Sequence, residues 1–113
     1  MENCLFCKIL KGEIPSAKVY ENEYVYAFRD INPQTPIHVL VIPKEHVSSL
    51  NDTAVFSDRS LAECLRAIPV IAQQEKLTGG YRIVSNCGSD ACQSVPHLHF
   101  HILGGAQLSD RMA

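Results

Sequence analysis

The sequence predicts an α+β fold: one long helix packed against a mainly antiparallel sheet of about five strands, with a short helix at the N-terminus. Three observations carry this prediction. Apolar residues recur at helical spacing only between Ser57 and Lys76. The other apolar runs are short, β-branched or aromatic, and bounded by Gly, Pro and Asn. The connections between most of them are short, which suits antiparallel neighbours. At 113 residues the chain is one domain's worth, residues 1–113, with no repeat, linker or low-complexity block.

The elements follow in order. Residues 4–11 form a short helix carrying Leu5, Ile9 and Leu10. Gly12 suits its C-terminal cap and Pro15 forbids continuation. Lys18–Glu21 and Tyr24–Arg29 read as two strands of a hairpin turning at Asn22-Glu23. Asp30–Pro36, with two prolines, is a loop. Ile37–Ile42 is a strand that Pro43 stops, with His38, Leu40 and Ile42 on one face and Ile37, Val39 and Val41 on the other. Ser57 or Asp58 caps the long helix, which has Pro69 inside it. Its apolar stripe is Leu61, Leu65, Ile68 and Ala72. Gly79-Gly80 closes the helical segment. Tyr81–Ser85 is a strand, Asn86–Pro96 a polar loop, and His97–Leu103 the last strand, ended by Gly104-Gly105.

Composition excludes several functions. A net charge of −2, with no lysine- or arginine-rich run and no aromatic–basic stripe, gives nucleic acid nothing to hold. No apolar stretch approaches the length of a membrane span. The start Met1-Glu2-Asn3-Cys4 lacks the basic and apolar regions of a secretory signal, so the expected location is cytoplasmic. Five cysteines, an odd number with two as Cys4-x-x-Cys7, do not make a secreted disulfide framework. In a reducing compartment such a pair binds metal or does redox chemistry.

His97, His99 and His101 alternate with Leu98, Phe100 and Ile102. On a strand, alternate residues share a face, so the three imidazoles start roughly 6.5–7 Å apart on one side while the apolar residues fill a core on the other. Three readings stand: surface histidines on a half-exposed strand, a tri-histidine metal centre, or a nucleophilic histidine supported by the other two in an open cleft.

The motif His97-Leu98-His99-Phe100-His101-Ile102-Leu103 resembles the signature of the histidine-triad (HIT) family. The segment Asn86-x-Gly88-Ser89-Asp90-x-x-Gln93-Ser94-Val95 is similar to its Hint branch. Asp30-Ile31-Asn32-Pro33-Gln34 with Pro36-Ile37-His38, Val41-Ile42-Pro43-Lys44, and Phe6-x-Lys8-Ile9 with Gly12-Glu13-Ile14-Pro15 agree with it. The resemblance covers residues 4 to 107. It implies a HIT-like homodimer whose sheets join, and a purine-nucleotide cleft for AMP, GMP or phosphoramidates. It also implies hydrolysis at the α-phosphate of nucleoside phosphoramidates through a nucleotidyl-histidine, with no organic cofactor. Carried over by position, His99 is the nucleophile. His101 hydrogen-bonds the phosphate and helps protonate the leaving group, His38 orients His99 or relays a proton, and Ser94 donates to the bridging atom. Asn86 and Gln93 hold phosphate charge, Asp30 accepts from the ribose hydroxyls, and Ile31, Phe6 and Ile9 form the base slot.

Zinc-containing members of the family imply a further site. Cys4, Cys7, His46 and His97 would form a closed Cys₂His₂ site for a structural Zn²⁺ that pins the N-terminal segment beside the last strand. The alternative is a free thiol pair and a surface His46. Three features depart from the pattern: Cys92 in place of a usual glycine, Pro96 before the triad, and a C-terminus without the tryptophan-containing tail of animal Hint proteins. Cys87 has no assigned role, and Cys64 reads as core. A dinucleoside polyphosphate hydrolase of the Fhit type and a non-catalytic nucleotide-binding adaptor are the competing functions.

Overall fold

A computed structural model of the protein describes residues 3–112; Met1, Glu2 and Ala113, which entered the reading of the two termini, lie outside them. The chain runs α1 (Leu5–Leu10), β1 (Lys18–Glu21), β2 (Val25–Arg29), β3 (Ile37–Pro43), α2 (Asp58–Gln74), β4 (Tyr81–Val84) and β5 (Phe100–Gly104), with short 3₁₀ segments at Leu50–Val55 and Ser89–Ala91. The five strands form one sheet in the order β1-β2-β3-β5-β4, antiparallel at every pairing. Among the described residues no helix is long and apolar enough to cross a membrane.

Local chemistry accounts for the boundaries. Cys4 caps α1, its sulfur accepting from the Cys7 N–H, and Gly12 follows the C-cap at φ +78, where a side chain would be strained. The β1–β2 turn is an Asx turn: Asn22 Oδ1 accepts from the N–H groups of Tyr24 and Val25 at 2.8 and 2.9 Å, which takes Tyr24 out of β2. Pro43 does not stop β3 but ends it as a paired residue opposite Val25, since a strand's last residue can spare its N–H. Ser57 caps α2, its hydroxyl accepting from the Ser60 N–H. β5 is followed by Gly105 at φ +92, where a Cβ would come within 3.1 Å of Pro36 and 3.2 Å of Ile37.

The alternation of residues splits the interior into two cores. On one face of the sheet, Val39, Val41, Leu98, Phe100 and Ile102 pack with α2. On the other, Phe28, Leu40 and Ile42 pack under Cys4, Phe6, Cys7 and Ile9 of the N-terminal helix and its cap. Ile42 and Ile102 are fully buried on opposite faces; each such side chain contributes about 1.5–3 kcal/mol.

The expected stripe on α2 needs a correction. The helix buries Ser60, Cys64, Ala67, Ile68, Ile71 and Ala72, whereas Leu65 is 49% exposed. Ile68 and Ala72 of the expected stripe are buried and Leu61 packs against the core as a partly buried residue, so Leu65 alone turns outward and the small Ser60, Cys64 and Ala67 share the face. Cys64 and Ala67 let the helix lie close on the sheet, and a reading weighted to large apolar residues misses them. α2 continues through Pro69 without a break.

Candidate functional site

The last strand is shorter than its sequence suggests. Only His101 lies in β5. His97 and His99 lie in the stretch before it, where the His97 N–H donates to the Val95 carbonyl at 2.9 Å and the Leu98 N–H donates to the Val47 carbonyl at 2.7 Å. Pro96, in the middle of a bend over residues 95–97, keeps this stretch out of the β-ladder. The alternation survives: Leu98, Phe100 and Ile102 enter the α2 core, the His97 and His99 imidazoles face α1, and His101 packs on His99 and His38. They do not line a uniformly open cleft. His97 is 0% exposed and His99 5%, with the edge-on Phe6 ring 5.8 and 5.1 Å from their centroids.

Hydrogen bonds assign a tautomer to each ring. His99 Nδ1–H donates to the carbonyl of His97 at 2.7 Å, leaving Nε2 as a bare lone pair. The Gln34 N–H donates to His38 Nδ1 at 3.0 Å, so the proton of neutral His38 sits on Nε2. That proton points to His101 Nδ1 at 2.9 Å, which puts the His101 proton on Nε2. His101 Nε2 is buried and has no partner among the described residues. Burial holds all three rings neutral. It lowers His38 and His99 below the usual imidazole range, and it pushes His101 down to about 4 with help from neighbouring His99 and His38. His38 thus meets His101, not His99 as the sequence suggested, because Leu40 pairs with His101 and places His38 diagonally across from it.

His99 and His101 open onto a cavity of about 580 Å³, within the range of small-molecule sites. Of the expected nucleotide residues, Phe6, Ile9, Asp30, Ile31, Ser94, His99 and His101 line it. Ile31 does so from the rim, being 93% exposed. Asp30 Oδ1 accepts from the Asn32 N–H at 2.8 Å, an Asx turn that shapes its loop, while Oδ2 lies 3.4 Å from His38 Nε2. Asn86 and Gln93 do not line the cavity. Gln93 is spent on its own loop: Oε1 accepts from the Gly88 N–H, and Nε2 donates to the carbonyls of Ser48 and Val95. Cys92 is exposed at φ 61, a backbone conformation that favours glycine, and its side chain does not narrow the cavity. Sequence reasoning missed Phe28, Leu40 and the 14–17 segment as walls. The register across β2, β3 and β5, which places Phe28, Leu40 and His101 in one row, was the signal that finds the first two.

Beside the cavity a second cluster forms. The ligand atoms of Cys4, Cys7, His46 and His97 all lie within 4.8 Å of one another. His97 Nε2–H donates to the Pro43 carbonyl at 3.0 Å, so its Nδ1 lone pair faces the cluster. That nitrogen is 3.4 Å from Cys4 Sγ, 3.6 Å from Cys7 Sγ and 3.1 Å from His46 Nδ1, and His46 Nδ1 is 3.3 Å from Cys7 Sγ. Tetrahedral zinc with ordinary Zn–S and Zn–N bonds sets its ligands roughly 3.3 Å apart for two nitrogens and roughly 3.5 Å for nitrogen and sulfur. The donor set and its spacing fit such an ion, and the burial of His97, which pushes its pKa down to about 4, keeps it neutral for ligation. With His97 turned into this cluster, the three triad imidazoles do not converge on one metal. Asp30, His38 and His101 also approach each other, but the 2.9 Å contact between the two rings is a hydrogen bond.

Residues 11–108 match the HIT domain family. A 14 kDa zinc-binding protein of Zea mays is 50% identical over 108 residues, 93% of this chain and 84% of that protein. The purine nucleoside phosphoramidase of Escherichia coli is 39% identical over 113 residues, 99% of this chain and 95% of that enzyme. The solved structure of a HIT family hydrolase from Clostridium thermocellum superposes with a TM-score of 0.96 at 42% identity, covering 100% of this chain and 99% of that one. The triad, the fold and these relatives together establish that the chain belongs to the HIT domain family, in its Hint branch.

Proposed function

We propose that the protein hydrolyses purine nucleoside phosphoramidates at the α-phosphate, through a nucleotidyl-histidine on His99, and releases a nucleoside monophosphate such as AMP. The observation that carries this reading is a pairing of opposite chemistry in one cavity: a bare Nε2 lone pair on His99 beside an unpartnered Nε2–H on His101. A nucleophile and an oxyanion donor side by side suit in-line displacement at phosphorus. The phosphoramidase activity of the E. coli relative supports the same choice.

In the first half-reaction His99 Nε2 bonds to phosphorus as the P–N bond to the leaving amine breaks. The positive charge on His99 is held through Nδ1–H by the His97 carbonyl. His101 keeps its proton and donates it as a hydrogen bond to the phosphate oxygens, since losing it would leave the neutral His38–His101 pair with an uncompensated negative charge. The amine leaves with a proton passed from solvent through the exposed Ser94 hydroxyl. Water then attacks phosphorus, the His99–P bond breaks, and the water's proton returns to solvent. Asp30 accepts from the ribose hydroxyls, and Phe6, Ile9 and Ile31 flank the base. Gln93 serves by clamping the loop that carries Ser94, and Asn86 stands outside the cavity.

Cys4, Cys7, His46 and His97 hold a structural zinc. When bound it supplies a staple that seats α1 over the sheet, and a reducing compartment such as the cytoplasm keeps the two thiols available for it. The protein acts as a homodimer. The outer strand β4 has an open edge and exposes Tyr81 (40%) and Ile83 (36%), a surface suited to continuing the sheet into a second copy. Turnover of an adenosine phosphoramidate and of diadenosine polyphosphates by wild type and His99→Ala tests the reading. The phosphoramidate is cleaved by wild type, and the variant loses turnover while still binding AMP. AMP binding by wild type with no turnover of either substrate contradicts it and favours the adaptor; preference for the diadenosine substrates favours the Fhit-type hydrolase.

A further inference from the structure

His101 enters the cavity from β5, Ser94 and His99 from the stretch before it, and Asp30 and Asn32 from the loop after β2. The part of the wall built by α1, residues 14–17 and β2 is apolar apart from Arg29 and Ser16. The guanidinium of Arg29 is taken up by Glu75, with N···O distances of 2.7 and 3.0 Å. Ser16 is therefore the polar side chain that this wall leaves available among the described residues.

Ser16 is held in place. Its Oγ lies 2.6 Å from the Tyr26 hydroxyl, and the Tyr26 ring packs at 5.8 Å on Phe28. Two hydroxyls carry two protons, and the bond between them uses one. Neither hydroxyl has another partner among the described residues. The phenol is the stronger acid, so Tyr26 donates into Ser16 Oγ and the Ser16 O–H remains free on the cavity wall.

Position matches this donor to a ligand. Phe28 pairs with Leu40 and Leu40 with His101, so β2 stands two strand spacings, roughly 10 Å, from the phosphate-side histidine. A nucleotide with its phosphate at His101 and its ribose at Asp30 brings its base to the Phe28–Ser16 wall.

We infer that the Ser16–Tyr26 hydroxyl pair reads the base: Ser16 donates a hydrogen bond to an acceptor on the purine, and Tyr26 fixes the direction of that donor. This rests on the nucleotide reading given above. It makes Ser16 a specificity-determining residue that rewards a heteroaromatic base over its absence.

Calorimetric titration of the full chain with AMP and with ribose 5-phosphate, which lacks the base, tests it. Ser16→Ala weakens AMP binding about three- to ten-fold, the loss of one hydrogen bond, and leaves ribose 5-phosphate unchanged. Ser16→Thr, which keeps the hydroxyl, binds AMP close to wild type. Ser16→Ala binding AMP as tightly as wild type overturns the inference. So does equal weakening of both ligands, which would mean that the pair only shapes the 14–17 segment. A wild-type protein that binds neither ligand overturns the nucleotide reading itself; AMP binding by wild type that is indifferent to Ser16 overturns this inference alone.

Discussion

His38 Nε2 lies 2.9 Å from His101 Nδ1, and the Gln34 N–H behind His38 gives that bond its direction. The backbone of the Asp30–Pro36 loop thereby decides which nitrogen of His101 presents a proton to the cavity. His38→Phe keeps a ring of similar bulk but removes the donor, and His101 can then take either tautomer. Turnover of an adenosine phosphoramidate should fall on the order of 10²-fold, while AMP affinity changes little. Nitrogen chemical shifts of His101 check the cause: wild type shows the Nε2–H form alone, and the variant a mixture. A wild-type spectrum with the proton on Nδ1 would contradict the assignment.

Burial of this pair sets the pH response. His101 is pushed down to about 4 and His38 below its ordinary value, chiefly by desolvation. Both stay neutral as pH falls through the usual imidazole range near 6.5, so the acid limb of kcat/KM belongs below 6.5. Stability follows with a definite sign. The unfolded chain protonates near 6.5 and the folded chain only at lower pH, so the unfolded state binds more protons in between. Stability is level above about pH 6.5 and falls as pH drops toward about 4. Urea denaturation at pH 7.5 and pH 5 measures it; equal midpoints would contradict the burial argument.

Zinc removal should act on the fold through α1. Cys4→Ser takes away one ligand but keeps an N-cap acceptor for the Cys7 N–H that Cys4 Sγ now holds, so a loss of stability reports the metal. Metal analysis should find roughly one zinc per wild-type chain and little in the variant, with a lowered melting temperature. Chelation of wild type should reproduce the shift. Unchanged metal content in Cys4→Ser would remove the site from the account.

The core between α2 and the sheet is tested by two substitutions. Ile102 is fully buried and Leu65 half-exposed. Ile102→Ala should cost about 2–5 kcal/mol through the cavity it leaves, and Leu65→Ala within about 0.5 kcal/mol. Comparable losses at the two positions would return Leu65 to the buried stripe of Leu61, Leu65, Ile68 and Ala72 that the sequence suggested.

That stripe shows where sequence reasoning stops. Strand periodicity made His38, Leu40 and Ile42 legible as one face, and the H-x-H-x-H alternation separated imidazoles from core before any coordinates. The extents of β2 and β5 were not legible. They turn on particular hydrogen bonds, Asn22 Oδ1 to Tyr24 and Val25, and Leu98 N–H to Val47, that no spacing encodes. The divergence of His97 from His99 and His101 was legible only because Cys4-x-x-Cys7 supplied a second claim on His97. The partner of His38 was not, because it depends on the β3–β5 register. Gln93 shows the opposite limit: its residue type suits phosphate, and only the fold reveals that both ends of its amide are already used.

The central claim is a covalent bond from His99 Nε2 to phosphorus. The direct measurement is mass spectrometry of the protein quenched in acid-free denaturant during turnover of an adenosine phosphoramidate. The expected result is an adenylyl adduct that maps to His99, forms within the first turnover and is absent from His99→Ala. Full turnover by His99→Ala, or an adduct that maps to His101, would contradict it.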